Sequence, residues 1–184
     1  MPESAARRPY FTIGHSTLAI DAFAACLQAA GVTRVIDVRS IPRSRTNPQY
    51  NQDSLPAALA AYGIGYEHMA SLGGRRGLQR GIDPRLNGFW HNRSFHHYAD
   101  YALQPAFREG LEQLREFGQR ECCAIMCSEA VWWRCHRRII SDHLLAAGET
   151  VRHLMNGRIE DAGLTPGAQV HADDSVTYPA QSPP

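Results

Sequence analysis

Short, mostly apolar runs recur along the chain and alternate with longer stretches in which apolar residues follow a helical spacing. Short apolar runs bounded by turn residues are typical of buried strands. They occupy residues 10–13, 35–38, 64–69, 124–127 and 150–155. The helical stretches cover residues 20–30, 54–62, 95–117 and 132–147, and Pro105 predicts a kink in the third of them.

Strands that alternate with helices in this way predict an α/β fold. Because crossovers between parallel strands are right-handed and place helices over the sheet, we expect a parallel five-stranded sheet with helices on both faces, a Rossmann-like three-layer sandwich. The single domain should span residues 10–164, after an N-terminal extension over residues 1–9. Pro, Gly, Ser and Asp dominate from residue 165 onward, which indicates a flexible tail over residues 165–184.

The amino-acid composition excludes some classes of function and favours others. The 184 residues carry a net charge of +1, so the overall charge does not favour nucleic acid or an anionic membrane as a partner. All 19 basic residues are arginine. The absence of lysine excludes Schiff-base catalysis and a P-loop lysine, whereas planar arginine recognition of phosphate or carboxylate is well supplied.

Membrane and disulfide signals are absent from the sequence. No apolar run reaches the roughly 18 residues of a membrane span, and residues 1–9 lack the apolar core of a signal peptide, so a cytoplasmic protein without a membrane partner is expected. The cysteines are five in number, and four of them lie within residues 122–135. An odd, clustered set of this kind suits reduced thiols.

Polar and titratable residues follow the predicted strands. Ligands of parallel α/β sheets bind outside the carboxyl ends of the strands, which makes these positions a candidate site. We expect His15 or Glu129 to act as general acid or base and Asp37 to orient His15 or Arg39. The candidate ligand-binding residues are Ser16, Arg39, Arg43, Arg45, His68 and Arg137. The structural alternatives are a turn role for His15, an internal ion pair for Asp37 and solvated loop arginines.

A long irregular segment, residues 73–92, is rich in Gly, Arg, Asn and Pro, and we call it the flap. Irregular loops of this length are more often functional than incidental. Arginines and aromatic residues in and just after the flap form the kind of surface that stacks nucleobases and attracts phosphates. The alternative is an ordered lid whose aromatic residues pack on the domain.

The densest group of reactive residues runs from Cys127 to Arg137. Cys127 ends a predicted strand and faces the predicted helix at 132–147, whose N-terminus would lower the thiol pKa and make Cys127 a candidate nucleophile. Cys127 should therefore react faster than Cys122 and Cys123. The cysteine-phosphatase loop is not matched, because six residues rather than five separate Cys127 from Arg134.

Zinc is the alternative ligand for this group. Cys127, Cys135 and His136 offer suitable ligand types, although adjacent side chains on a helix point about 100° apart. The sequence requires no cofactor, and zinc is the one metal that it suggests.

Five motifs in one order carry a family resemblance. They are Thr12-Ile13-Gly14-His15-Ser16, Asp37-Val38-Arg39 with Pro42 and Ser44, Tyr66 and His68 before Leu72-Gly73-Gly74, Cys127-Ser128-Glu129, and Cys135-His136-Arg137. Over residues 10–168 the chain resembles the domain of unknown function 488 family. The resemblance implies that His15, Asp37, Arg39, Cys127, Glu129, Cys135, His136 and Arg137 occupy motif positions. Family members often carry a histidine shortly before the Leu-Thr-Pro segment, where this chain has Ala162-Gly163.

The resulting expectation is an enzyme-like site for a phosphate-containing ligand, nucleotide or nucleic-acid-related, with hydrolase or transferase chemistry. Arg39 and Arg137 would hold the anion. A first alternative is a non-catalytic nucleic-acid-binding module that uses Arg43, Arg45 and the flap. A second is a zinc-dependent protein. The sequence does not set the oligomeric state.

Overall fold

The computed structural model describes residues 6–182 and contains a six-stranded sheet. The strand order is β3-β2-β4-β1-β5-β6. The first five strands are mutually parallel, and β6 runs antiparallel to β5. The strands of this sheet are β1 Tyr10–Gly14, β2 Arg34–Asp37, β3 Gly65–His68, β4 Cys123–Cys127, β5 Val151–Met155 and β6 Arg158–Asp161.

The sheet thus has one strand more than predicted and is not purely parallel. Asn156 and Gly157 have φ values of 53° and 71°, the positive values that a two-residue hairpin turn requires. This turn leads into β6 rather than out of the sheet. All four residues of β6 are exposed, and Ile159 is its only large apolar residue, so the strand lacks an apolar run that would have predicted it.

Two predicted helices are shorter or divided in the structure. The stretch 95–117 forms two helices, because Pro105 begins a new helix instead of kinking one. The stretch 132–147 begins with a 3-10 turn over Trp132–Arg134, and the α-helix starts only at Arg137. The helices are α1 Ile20–Ala29, α2 Leu55–Ala60, α3 Arg93–Tyr101, α4 Pro105–Arg120 and α5 Arg137–Ala146. None of the helices within residues 6–182 is long and apolar enough to cross a membrane.

Helices cover both faces of the sheet, as the alternation of elements predicts. Along β4, Ala124 and Met126 pack with α1 and α2, while Cys123 and Ile125 pack with α3, α4 and α5. Since α1 leaves β1 on one face and α5 follows the neighbouring β4 on the other, a crevice opens between the carboxyl ends of these two strands. Crevices of this kind are the usual ligand sites of open α/β sheets.

The segment after residue 164, predicted as a flexible tail, contributes packed structure in its described part. A short hairpin pairs β7 Gln169–Val170 with β8 Val176–Thr177. Tyr178 is fully buried, and its hydroxyl donates a 2.7 Å hydrogen bond to Asp142 of α5. The packed part of the chain therefore extends to Tyr178, because this aromatic side chain fills space beside α5.

We predict that Tyr178→Ala lowers the free energy of unfolding by about 3 kcal/mol or more, the usual loss for a buried aromatic side chain. Val170→Ala, at a position that is 46% exposed on the same hairpin, is the control and should change it by less than about 0.5 kcal/mol. Urea denaturation of both variants measures the difference. Equal, small losses would mean that the segment does not pack on the domain in solution.

Candidate functional site

A cavity of about 580 Å³ lies at the carboxyl ends of β1, β2 and β4, and we call it the carboxyl-edge cavity. Its lining comes from the loops that follow these strands, from the start of the flap and from α3. The lining residues are His15, Ser16, Thr17, Arg39, Ser40, Ile41, Arg43, Ser44, Thr46, Asn47, Gly74, Arg75, Ser94, Phe95, Tyr98, Cys127, Ser128, Glu129, Arg134, Cys135 and His136. The convergence of polar groups from separate strand ends is what the sequence led us to expect.

Backbone contacts hold the loops after β1 and β4 together. The amides of His15 and Ser16 donate to the carbonyls of Cys127 and Ser128, which continues the parallel ladder past the strand ends. Gly14 makes this close approach possible, because a Cβ at this position would collide with the carbonyl of Glu129. The glycine is therefore required by packing rather than by an unusual φ.

Asp37 and Arg39 form a buried, bidentate ion pair at the cavity. Nε of Arg39 donates to Oδ1 of Asp37 at 2.9 Å, and Nη2 donates to Oδ2 at 2.7 Å. The Tyr66 hydroxyl donates to the same carboxylate at 2.5 Å, and Nη2 of Arg39 also reaches the Tyr50 carbonyl at 2.7 Å. Asp37 therefore positions the Arg39 guanidinium, which lines the cavity while Asp37 itself does not.

His15 is buried, and both of its ring nitrogens are engaged. Nδ1 donates to the Ser16 carbonyl at 2.9 Å, which leaves the lone pair on Nε2, 3.4 Å from Nη1 of Arg39. The ring stacks on Tyr50 with centroids 4.0 Å apart. Burial, reinforced by the nearby Arg39 charge, lowers the pKa of His15 to about 4. A neutral imidazole whose lone pair faces a guanidinium supports Arg39, and this geometry does not favour the predicted general-base role.

Cys127, Cys135 and His136 form a compact group on the cavity wall, which we call the thiol cluster. One candidate ligand atom from each lies within 4.8 Å of the others. A hydrogen bond to Cys135, together with burial, raises the pKa of Cys127 to about 12. Although burial opposes ionisation, hydrogen bonds from Cys127 and Arg137 lower the pKa of Cys135 to about 6. The more acidic thiol is thus Cys135, not the predicted Cys127.

The position of α5 explains this difference. The helix begins at Arg137 rather than at Trp132, so its first backbone amide points at Cys135, with a distance of 3.4 Å from the Arg137 nitrogen to the sulfur. Nε of Arg137 donates to the same sulfur at 3.2 Å. Arg137 is buried, and its Nη2 donates to the Glu129 carbonyl. Its guanidinium is therefore occupied beneath the cavity, which does not support the predicted role as an anion holder.

Two further candidates from the sequence lie outside the cavity lining. Nε2 of His68 donates to the Arg39 carbonyl at 2.8 Å and so supports the backbone of Arg39 from the far side. Arg45 is exposed in the loop after β2, whereas Arg43 in the same loop lines the cavity. His15, Ser16, Arg39, Cys127, Glu129, Cys135 and His136 also line it.

Two arginines of the lining, Arg75 and Arg134, are not among the ligand-binding residues predicted from the sequence. Arg75 lies near the start of the flap, and its amide donates to the Ser40 hydroxyl at 2.8 Å. Arg134 was assigned to a helix but lies in the turn before α5. For Arg75 the signal was the arginine content of the flap, which could not be sorted from the sequence into cavity-facing and outward-facing positions. For Arg134 the predicted helix over residues 132–147 concealed its loop position.

The aromatic residues in and near the flap pack on the domain. Trp90 is 7% exposed and stacks on Phe95 at 4.9 Å, and Tyr178 packs against its edge. The Arg138 guanidinium lies over the Trp90 ring at 5.1 Å. The ordered-lid alternative describes these side chains better than an open stacking surface for bases.

The fold and the site define an α/β protein with an arginine-lined cavity at the carboxyl ends of the parallel strands β1, β2 and β4. A family model described as Domain of unknown function DUF488 matches residues 19–144, well over half of the chain. The chain belongs to this family, as the motif order in the sequence suggested. The match includes the thiol cluster and the Asp37–Arg39 pair but begins after His15. No curated protein and no solved structure matches the chain.

The buried Asp37–Arg39 pair has an exposed counterpart of the same spacing, Asp83–Arg85. Removing one partner of a buried pair leaves an uncompensated charge, so Asp37→Ala should lower the free energy of unfolding by about 3–5 kcal/mol. Asp83→Asn removes the charge of a solvent-screened pair but keeps a side-chain oxygen that can accept from the Arg85 amide, so it should cause no measurable loss. Chemical denaturation of both variants measures the contrast. Similar losses in the two would contradict the central role of the buried pair.

Acid should destabilise the protein through its buried histidines. Burial lowers the pKa of His15 and His153 to about 4 and that of His143 to about 3, whereas an unfolded chain has values near 6.5. Below pH 6.5 the unfolded chain therefore binds more protons. The stability contributed by neutral histidines is complete above this pH and is lost as the pH falls toward 4.

His143→Leu tests this linkage, because Nε2 of His143 is buried without a hydrogen-bond partner among the described residues. We expect undiminished stability at pH 7 and a shallower loss between pH 6.5 and 5, by up to about 1.4 kcal/mol per pH unit. His91→Gln, at an exposed position, is the control and should leave the slope unchanged. Urea titrations at several pH values supply the slopes. An unchanged slope for His143→Leu would show that this histidine is not neutral in the folded protein.

Proposed function

We propose that the protein binds a phosphate-containing small molecule of nucleotide size in the carboxyl-edge cavity. The observation that carries the proposal is the charge of the lining, in which Asp37 balances Arg39, whereas Arg43, Arg75 and Arg134 share the described lining with a single carboxylate, that of Glu129. Among residues 6–182, no carboxylate forms an ion pair with the last three of these arginines. Arginine in this position suits bidentate contacts with phosphate oxygens.

Hydroxyl groups complete an anion-binding surface. Seven serine and threonine side chains line the cavity between the arginines: Ser16, Thr17, Ser40, Ser44, Thr46, Ser94 and Ser128. Each can donate a hydrogen bond to a phosphate oxygen without adding charge. A volume of about 580 Å³ lies in the usual range for small-molecule sites.

A second cavity favours a ligand that also has a less polar part. It measures about 480 Å³, shares Ser16 and Thr17 with the first cavity and extends between α1 and β5. Its lining includes Ile13, Ala29 and Leu154, and apolar residues predominate in it. A nucleotide would match this pairing of a charged and an apolar compartment, with the phosphate on the arginines.

A small ligand is preferred to single-stranded nucleic acid because of the flap. Trp90 and Phe95 stack on each other and pack on the core, so their faces do not form an open platform for successive bases. The net charge of +1 also supplies little long-range attraction for a polyanion.

For the reaction, we propose hydrolysis or group transfer at the bound phosphate, in which Glu129 as general base takes the proton of the attacking water or acceptor hydroxyl. A new P–O bond forms, the P–O bond to the leaving group breaks, and the leaving oxygen takes up a proton from solvent. Glu129 is the only carboxylate of the lining, and it is exposed to the cavity mouth. His15 is less suited to this role, because its free lone pair faces Arg39. Activity toward nucleotide esters that is lost in Glu129→Gln, with ligand binding retained, would support this assignment.

Arg43 and Arg45 provide a matched pair for testing ligand binding. Both are exposed in one loop, but only Arg43 lines the cavity. Arg43→Ala should weaken binding of AMP or inorganic phosphate about tenfold or more, the value of a lost charge-assisted hydrogen bond. Arg45→Ala should leave the affinity unchanged.

Isothermal titration and thermal melts of the three proteins measure these affinities. In the wild type, ligand at a hundredfold excess over its dissociation constant should stabilise the fold by about 2.7 kcal/mol. Binding that is absent for phosphate, AMP and ATP, or that falls equally in the two variants, would contradict the proposal.

A further inference from the structure

We propose that the thiol cluster is a binding site for Zn²⁺ or a similar thiophilic divalent cation, with Cys127 Sγ, Cys135 Sγ and His136 Nδ1 as ligands. Two thiols and one imidazole are the ligand types that zinc prefers. The three residues come together at the end of β4 and the start of α5, and one ligand atom from each lies within 4.8 Å of the others. The proposal does not depend on the proposed anion ligand, because the three ligands that define the site all belong to the chain.

The spacing of Cys135 and His136 matches a zinc site, and the other ligand pairs, which lie within 4.8 Å, need to close by roughly an ångström at most. Tetrahedral zinc with the usual Zn–S and Zn–N bond lengths places a sulfur and a nitrogen roughly 3.6 Å apart. Sγ of Cys135 and Nδ1 of His136 lie 3.5 Å apart. The objection that adjacent residues on a helix diverge does not apply, because Cys135 is extended, with φ −127° and ψ 149°, and precedes α5.

The tautomer of His136 is fixed in the form that a metal needs. Nε2 of His136 lies 2.8 Å from the Val38 carbonyl, which can only accept a hydrogen bond. The proton therefore lies on Nε2, and the lone pair of the neutral ring lies on Nδ1, toward Cys135. A backbone carbonyl that holds the distal nitrogen is the common outer-sphere arrangement of metal-bound histidines.

Gly74 packs against the face of the His136 ring and so holds the ring in place. A Cβ at this residue would lie 2.5 Å from Nδ1 and 2.8 Å from both Cγ and Cε1, which places it above the ring plane. Gly74 does not have a positive φ, so its backbone conformation does not require glycine. The in-plane lone pair of Nδ1 is therefore not covered by Gly74, and the close approach of the glycine fixes the position of the ligand ring.

The ligand set leaves one coordination position unfilled by protein. Zinc sites with three protein ligands keep their fourth position for water or substrate, whereas structural sites are closed by four. Since Cys127, Cys135 and His136 all line the carboxyl-edge cavity, the open position faces it. The site is thus of the open type, and a water molecule or an oxygen of a bound anion could fill the position.

Cobalt(II) substitution tests the site in the full chain. Adding Co²⁺ to reduced protein should give one equivalent of tightly bound metal, with the visible bands of a tetrahedral ion and a thiolate charge-transfer band, and Zn²⁺ should displace it. Cys135→Ser should weaken metal binding by at least about a hundredfold, since ligand loss costs no less than loss of an outer-sphere partner. Cys122→Ser removes a half-buried thiol outside the cluster and should bind as the wild type does.

Two further measurements keep the test decisive if Cys135→Ser folds poorly. Zn²⁺ should protect Cys127 and Cys135 of the wild type from alkylation but not Cys26 and Cys122. Gly74→Ala should weaken Zn²⁺ binding, because its methyl group would collide with the face of the His136 ring and displace Nδ1. Inorganic phosphate binding, measured on metal-free protein, distinguishes a failure of this proposal from a failure of the anion site.

The proposal is overturned if the reduced wild type binds no stoichiometric Co²⁺ or Zn²⁺. It is also overturned if Cys135→Ser retains wild-type affinity. Zinc that protects all the cysteines equally would indicate non-specific binding and would likewise exclude the site.

Discussion

The buried ion pair between Asp37 and Arg39 organises the whole carboxyl edge. Each charge loses its hydration, and such a pair is tolerable only when nearly every donor and acceptor is satisfied. The Asp37 carboxylate receives the Tyr66 hydroxyl as well as the guanidinium, and Arg39 also contacts the Tyr50 carbonyl and the His15 ring. These contacts tie β2 to β3, to the loop that follows β2 and to the end of β1. One guanidinium therefore fixes the positions of several cavity walls.

The strand-end positions could be predicted from the sequence because parallel topology forces them to one edge. The runs ending at Gly14, Asp37 and Cys127 have the period and length of buried strands, and their polar successors meet as expected. Burial could not be predicted in the same way. His15 follows a strand like a turn residue, yet it lies under Tyr50 with both nitrogens occupied, and only tertiary packing determines that.

The most consequential error in the predicted elements was the start of α5, because the position of the helix N-terminus determines which thiol is the more acidic. Trp132 and Trp133 gave the segment an apolar content that resembled a helix, but they form a 3-10 turn in which Trp132 stacks on His153 at 4.3 Å. The helix N-terminus consequently moves five residues along the chain, from 132 to 137, and meets Cys135 instead of Cys127. The hairpin into β6 was missed for the opposite reason: its residues are exposed and carry almost no apolar pattern.

The two proposed ligands would share one cavity and influence each other through charge. The arginines of the lining repel a cation at the thiol cluster, whereas a bound phosphate neutralises part of that field. Arg137 connects the thiol cluster with the loop after β4, since it donates to the Cys135 sulfur and to the Glu129 carbonyl. Each ligand therefore lowers the electrostatic cost of binding the other, and thermodynamic linkage makes the two effects equal in magnitude. A zinc ion in the thiol cluster would have its open coordination position beside the arginines of the lining. The metal and the guanidinium groups could then bind different oxygens of one phosphate.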